Sequence, residues 1–147
     1  MTRSKRIQSI VGLAQADERA AAAQLTKSHR AAREIEKKLQ ELKTCRQEYA
    51  RQWQAQDGAS LGASQMQSLW VFIRRLDEAI AHLETQLEIK LKIGELDQRR
   101  WLETRNRVRT LDDIADRHRK LEARAQMTRE QREVDDRLPC GSQGHDP

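Results

Sequence analysis

Along residues 69–87 the apolar side chains fall at Leu69, Ile73, Leu76, Ile80, Leu83 and Leu87, in alternating steps of four and three. That spacing draws one stripe down a helix and leaves the other faces polar, the pattern of a helix that seals against a partner helix. The same alternation runs upstream through Ile7, Val11, Ala14, Glu18, Ala21, Leu25, Ser28, Ala32, Ile35, Leu39, Leu42, Arg46, Tyr49 and Trp53. Strong helix formers dominate this stretch and no proline interrupts it, so a helix is predicted over about 4–56. A second is predicted over about 65–136, its stripe continuing as Lys90, Gly94, Asp97, Trp101, Thr104, Val108, Leu111, Ala115 and His118. Residues 57–64, DGASLGAS, carry two glycines and two serines and are predicted to connect the helices. Ser64 followed by Gln67 predicts a capping box at the start of the second.

Between residues 88 and 96, Ile89, Leu91 and Ile93 alternate in strand fashion, but a lone strand in helical sequence has no edge to pair with, so the segment is read as helix. An antiparallel pair imposes a register in which the numbers of facing residues add to one constant value. Folding at 57–64 sets Trp53 against Leu69, Tyr49 against Ile73, Leu42 against Ile80, Leu39 against Leu83 and Ile35 against Leu87. Near the termini the same register sets Val11 against Leu111 and Ile7 against Ala115. Its middle is small or polar: Ala32 meets Lys90, Ser28 meets Gly94, Leu25 meets Asp97, Ala21 meets Trp101 and Glu18 meets Thr104. The predicted fold is all-α, a long antiparallel two-helix coiled-coil hairpin over residues 1–137 as one domain. Residues 138–147, LPCGSQGHDP, are expected to be a disordered tail.

Composition agrees with a thin helical structure. Of 147 residues, 35% are charged and only 3% aromatic, too little for a thick core. No run reaches the roughly 18 apolar residues needed to cross a bilayer, and no secretory leader is legible, so a soluble cytoplasmic protein is expected. Cys45 and Cys140 are too few for a disulfide scaffold and are read as free thiols. The net charge of +5 admits an acidic partner, although acids and bases alternate along most of the chain. The basic concentration is Arg99, Arg100, Arg105, Arg107 and Arg109, relieved by Glu103.

No phosphate-cradling glycine loop, CxxC pair, HExxH or nucleophile elbow occurs, so neither an enzyme nor a cofactor is expected. His29, His82 and His118 are scattered, and Cys140 with His145 in the tail lacks the further ligands a metal site needs. The informative feature is the flank of the seam near the connection. One side carries Cys45, Phe72 and Ala79, while the other carries Lys43, Asp77 and Glu84 beside Trp70. Two helices offer no third layer to cover Phe72, so this strip either packs locally or receives a partner.

The run Phe72, Ile73, Arg74, Arg75, Leu76, Asp77, Glu78, Ala79, Ile80, with Leu42 and Tyr49 upstream, resembles the signature region of FliJ, a flagellar type III export protein. The specific likeness covers about residues 38–87, and the two-helix layout agrees over about 1–137. The resemblance implies a non-enzymatic antiparallel coiled coil, similar to the stalk subunit of rotary ATPases, that works with the flagellar export ATPase ring. It further implies contacts with the cytoplasmic domain of the export gate and with export chaperones, at the inner face of the plasma membrane. Carried onto this chain, the gate contacts would be Leu42, Cys45, Tyr49, Phe72, Leu76 and Ala79. The ring contacts would be a basic collar of Arg3, Lys5, Arg6, Arg117, Arg119 and Lys120. Read on residues alone, a basic coiled coil binding nucleic acid through Arg99 to Arg109, or a generic oligomerisation module, stays open. No nucleic acid is expected, and a hairpin that satisfies its own seam should be monomeric when free.

Overall fold

A computed structural model of the chain describes residues 2–55 and 62–138. The fold is all-α, two long antiparallel helices packed against each other: α1, Arg3–Ala55, and α2, Ala63–Arg137. Packing divides the chain into a terminal unit, Met1–Arg19 with Glu103–Pro147, and a second unit, Ala20–Leu102. The segment 88–96 is helical, as its surroundings dictate. Residues 139–147 of the expected tail, with Cys140 and His145, and residues 57–61 of the predicted connection lie outside the described residues.

Thr2 caps α1: its carbonyl accepts the Arg6 N–H at 3.2 Å and its hydroxyl accepts the Lys5 N–H at 3.3 Å. These bonds satisfy donors that the first turn of a helix leaves open. At α2 the sequence reading needs correction. The helix begins at Ala63, and the Gly62 carbonyl accepts the Met66 N–H at 3.1 Å. Ser64 therefore sits inside the first turn, where it cannot cap Gln67, and its carbonyl instead accepts the Ser68 hydroxyl at 3.1 Å.

In the terminal unit the seam is formed by Ser4, Val11, Ala14 and Ala115, all buried, with Ile7, Glu18, Thr104, Val108 and Leu111 half-buried. Ala115 is only 1% exposed. At such a site the added bulk of leucine would overpack the seam. Beyond Glu122 every described residue is exposed, so α2 outruns its partner, as the unequal helix lengths of 53 and 75 residues require. That extension relies on its own contacts, such as Gln126 to Glu130 at 3.1 Å and Gln131 to Asp135 at 3.3 Å.

In the other unit Leu39 and Leu76 are buried, and Ile35, Leu42, Tyr49, Trp53, Leu69, Ile73, Ile80, Leu83 and Leu87 are half-buried on the predicted stripe. Farther from the connection the seam is built from small residues: Ala21, Ser28, Ala32 and Gly94 are all buried. Small side chains let backbones approach, so these small layers, predicted from the spacing, are closed. Asp97 is not left facing Leu25; its carboxylate accepts the Ser28 hydroxyl, because a part-buried carboxylate must find a donor. Lys90, predicted in the seam, is exposed, its ammonium keeping its water.

Two helical glycines have room for a methyl group. A Cβ on Gly12 meets nothing within 4 Å, and one on Gly94 meets only the His29 Cδ2 at 3.9 Å, an ordinary contact. Glycine inside a helix costs about 1 kcal/mol relative to alanine. Gly12→Ala and Gly94→Ala are each expected to stabilise the protein by about 0.5–1 kcal/mol, read as a rise in the thermal midpoint by circular dichroism. A lower midpoint for Gly94→Ala would mean that the seam there is tighter than its contacts show.

Candidate partner-binding surfaces

The first surface lies in the Ala20–Leu102 unit, on one flank of its seam. Heptad geometry turns Leu42, Tyr49 and Leu76 inward: Leu76 is 8% exposed, and Leu42 and Tyr49 are half-buried. Cys45 is half-buried beside them, and Phe72 and Ala79 are exposed, Phe72 at 40%. The Phe72 ring meets Tyr49 edge to face, centroids 4.8 Å apart and planes at 65°. One edge of Phe72 is thus held by the seam and the remainder is presented outward, in a preferred aromatic geometry. Of the two readings of this strip, local packing and an open face, Phe72 shows both.

The opposite flank is polar and closed upon itself. Arg46 grips Asp77 with its Nε at 2.5 Å and an Nη at 3.4 Å, and Lys43 reaches Glu84 at 3.4 Å. The bond and charge of Asp77 raise the Arg46 pKa further above its ordinary value, so the guanidinium keeps its charge. These ion pairs are solvent-washed and add little stability, but they define which flank is charged and which is apolar. Farther round α2, Trp70 is 48% exposed with the Arg74 guanidinium over its ring at 4.9 Å. Exposed Val71 beside it drew no notice in the sequence, although its place between Trp70 and Phe72 marks it as lying outside the seam.

The second surface belongs to the terminal unit. Arg3, Lys5 and Arg6 on α1 and Arg117, Arg119 and Lys120 on α2 are all exposed, Arg119 pairing with Asp116 one turn before it. What ties the two helices here is a clamp the sequence reading missed. The Glu122 carboxylate accepts the Ser4 hydroxyl at 2.5 Å and the Ser4 backbone N–H at 3.2 Å. Continuing the alternation one step beyond Ile7 and His118 reaches both residues as seam positions, although the register does not set them against each other.

The Ser4 hydroxyl, then the Ser4 N–H, hold the Glu122 carboxyl below its usual range, with smaller help from nearby His118 and Lys5. A carboxyl whose pKa is lower folded than unfolded contributes stability that is complete above the unfolded value and lost as pH falls through the folded one. Acidification through and below the ordinary carboxylate range is therefore expected to loosen the α1 start. Amide exchange at residues 3–8 should be faster, relative to its intrinsic rate, in acid than at neutral pH. Glu122→Gln should remove most of that difference.

Among the described residues, no group of three His, Cys, Asp or Glu is placed to hold a metal ion, and no helix is long and apolar enough to cross a membrane. The class so defined is a pair of long antiparallel helices. The family model described as Flagellar FliJ protein matches residues 3–138, essentially both helices, and the chain belongs to that family. It is therefore a protein associated with flagellar export. Comparison with curated proteins and with solved structures gave no match.

Proposed function

We propose that the protein is a non-enzymatic, stalk-like partner of the flagellar export ATPase that also contacts the export gate and export chaperones, and so serves flagellum assembly and motility. Membership in the flagellar family supports the setting. The observation that carries the contact surface is Phe72, exposed on an apolar flank while the other flank is closed by ion pairs. On this reading the gate domain covers Cys45, Phe72 and Ala79, with Leu42, Tyr49 and Leu76 shaping the surface from below. The protein works in the cytoplasm, held at the inner face of the plasma membrane by its partners rather than by a span of its own.

The ATPase ring is assigned the terminal unit, where Arg3, Lys5, Arg6, Arg117, Arg119 and Lys120 form the collar. The test is stimulation of ATP hydrolysis by the purified export ATPase. Changing Arg3, Lys5 and Arg6 together to glutamate leaves Ser4 in place, and is expected to weaken stimulation most at low salt, the difference from the wild type narrowing as salt rises and screens the collar. Unchanged stimulation by that variant would remove the collar from the proposal.

A further inference from the structure

We propose that the outer face of α2 near the connection, formed by Trp70, Val71, Arg74 and Arg75, rests directly on the acidic headgroup surface of a membrane. Five apolar residues follow one another from Leu69 to Ile73, and the seam needs only the first and last, which are half-buried. Trp70, Val71 and Phe72 between them are 48%, 38% and 40% exposed. At about 100° per residue they sweep from one flank across the outer face to the other.

That sweep bears on what covers them. A helix seated in a protein groove presents anchors at three- and four-residue intervals on one face. A groove that takes Phe72 on its flank leaves Trp70 and Val71 outside it, whereas a bilayer surface reaches the outer face that these two occupy. Charge points the same way. Residues 62–76 contain two arginines and no acid, and the next acid, Asp77, is engaged by Arg46.

Arg74 lies over the Trp70 ring, and Arg75 borders an open groove with Ser64, Gln67, Ser68, Val71 and Phe72. A tryptophan at headgroup level, with guanidinium groups beside it and uncharged polar neighbours, is the chemistry of attachment to anionic lipid. With Tyr49 holding the Phe72 edge, the lipid contact centres on Trp70 and Val71, apart from the flank assigned to the gate.

The test is sedimentation of the full chain with vesicles of phosphatidylglycerol and phosphatidylcholine in equal parts, against vesicles of phosphatidylcholine alone. The chain should sediment with the acidic vesicles only, and less as salt rises. Trp70→Ala, Val71→Gln and Arg74→Glu should melt like the wild type, and the tryptophan and arginine changes should each weaken partition at least about fivefold. No sedimentation with acidic vesicles would overturn the proposal. So would an equal loss on changing Arg107 and Arg109 to glutamate, which would mean diffuse charge. Light scattering that finds a dimer dissolved by Trp70→Ala would assign the face to a second copy and also overturn it.

Discussion

Leu76→Ala is expected to destabilise the protein by about 2–3 kcal/mol, toward the lower end for a buried leucine because a two-helix seam can partly close over the void. Leu76 is the buried apolar residue of α2 beside the Tyr49 and Phe72 pair, so its loss removes packing on both sides of the seam. For a domain of this size each kcal/mol moves the thermal midpoint by about 2–4 °C. A midpoint several degrees lower, with gate affinity reduced only as far as the fold is loosened, is the expected pairing. An unchanged midpoint would mean that Leu76 is not a seam residue.

Phe72→Ala should behave in the opposite way. Its exposure of 40% limits what burial can contribute, and the edge-to-face contact with Tyr49 adds about 0.5–1.5 kcal/mol. The stability cost should therefore stay near 1 kcal/mol, well below the roughly 3–5 kcal/mol of a fully buried phenylalanine. An aromatic anchor that fills a partner pocket is worth about 2 kcal/mol or more, so affinity for the gate cytoplasmic domain should fall some thirtyfold. Calorimetric titration with that domain, alongside thermal melting, separates the two effects. Early melting with unaltered affinity would make Phe72 a core residue and leave the flank without a role.

The stripe on both helices was legible because heptad spacing states directly which residues face inward, and Lys90 alone of those positions is exposed. Apolar stripes need only complementary surfaces, so spacing alone tells which residues line the seam, and Tyr49 is half-buried there with its ring against Phe72. Polar layers follow a different rule. Ser28 and Asp97 find each other, and Ser4 finds Glu122, because hydrogen-bond donors and carboxylates choose partners by reach and geometry, which a layer count does not contain. The start of α2 was misplaced for a related reason: the Ser64 and Gln67 pattern fits a capping box, but the chain already turns helical at Ala63. On the flank, the exposure of Phe72 was foreseen from its heptad position, whereas the hold of Tyr49 on its ring depends on rotamers that sequence does not specify.

Cys45 offers the most direct probe of the proposed gate surface, since it is half-buried on that flank and the other cysteine, Cys140, can be changed to serine. The measurement is the rate at which a thiol reagent labels Cys45 in the Cys140→Ser chain, alone and with a saturating amount of the gate cytoplasmic domain. Strong protection of Cys45 in the complex, absent when Phe72 is replaced by alanine, is the result expected if this flank is the contact surface. Labelling at the same rate with the gate domain demonstrably bound would contradict it.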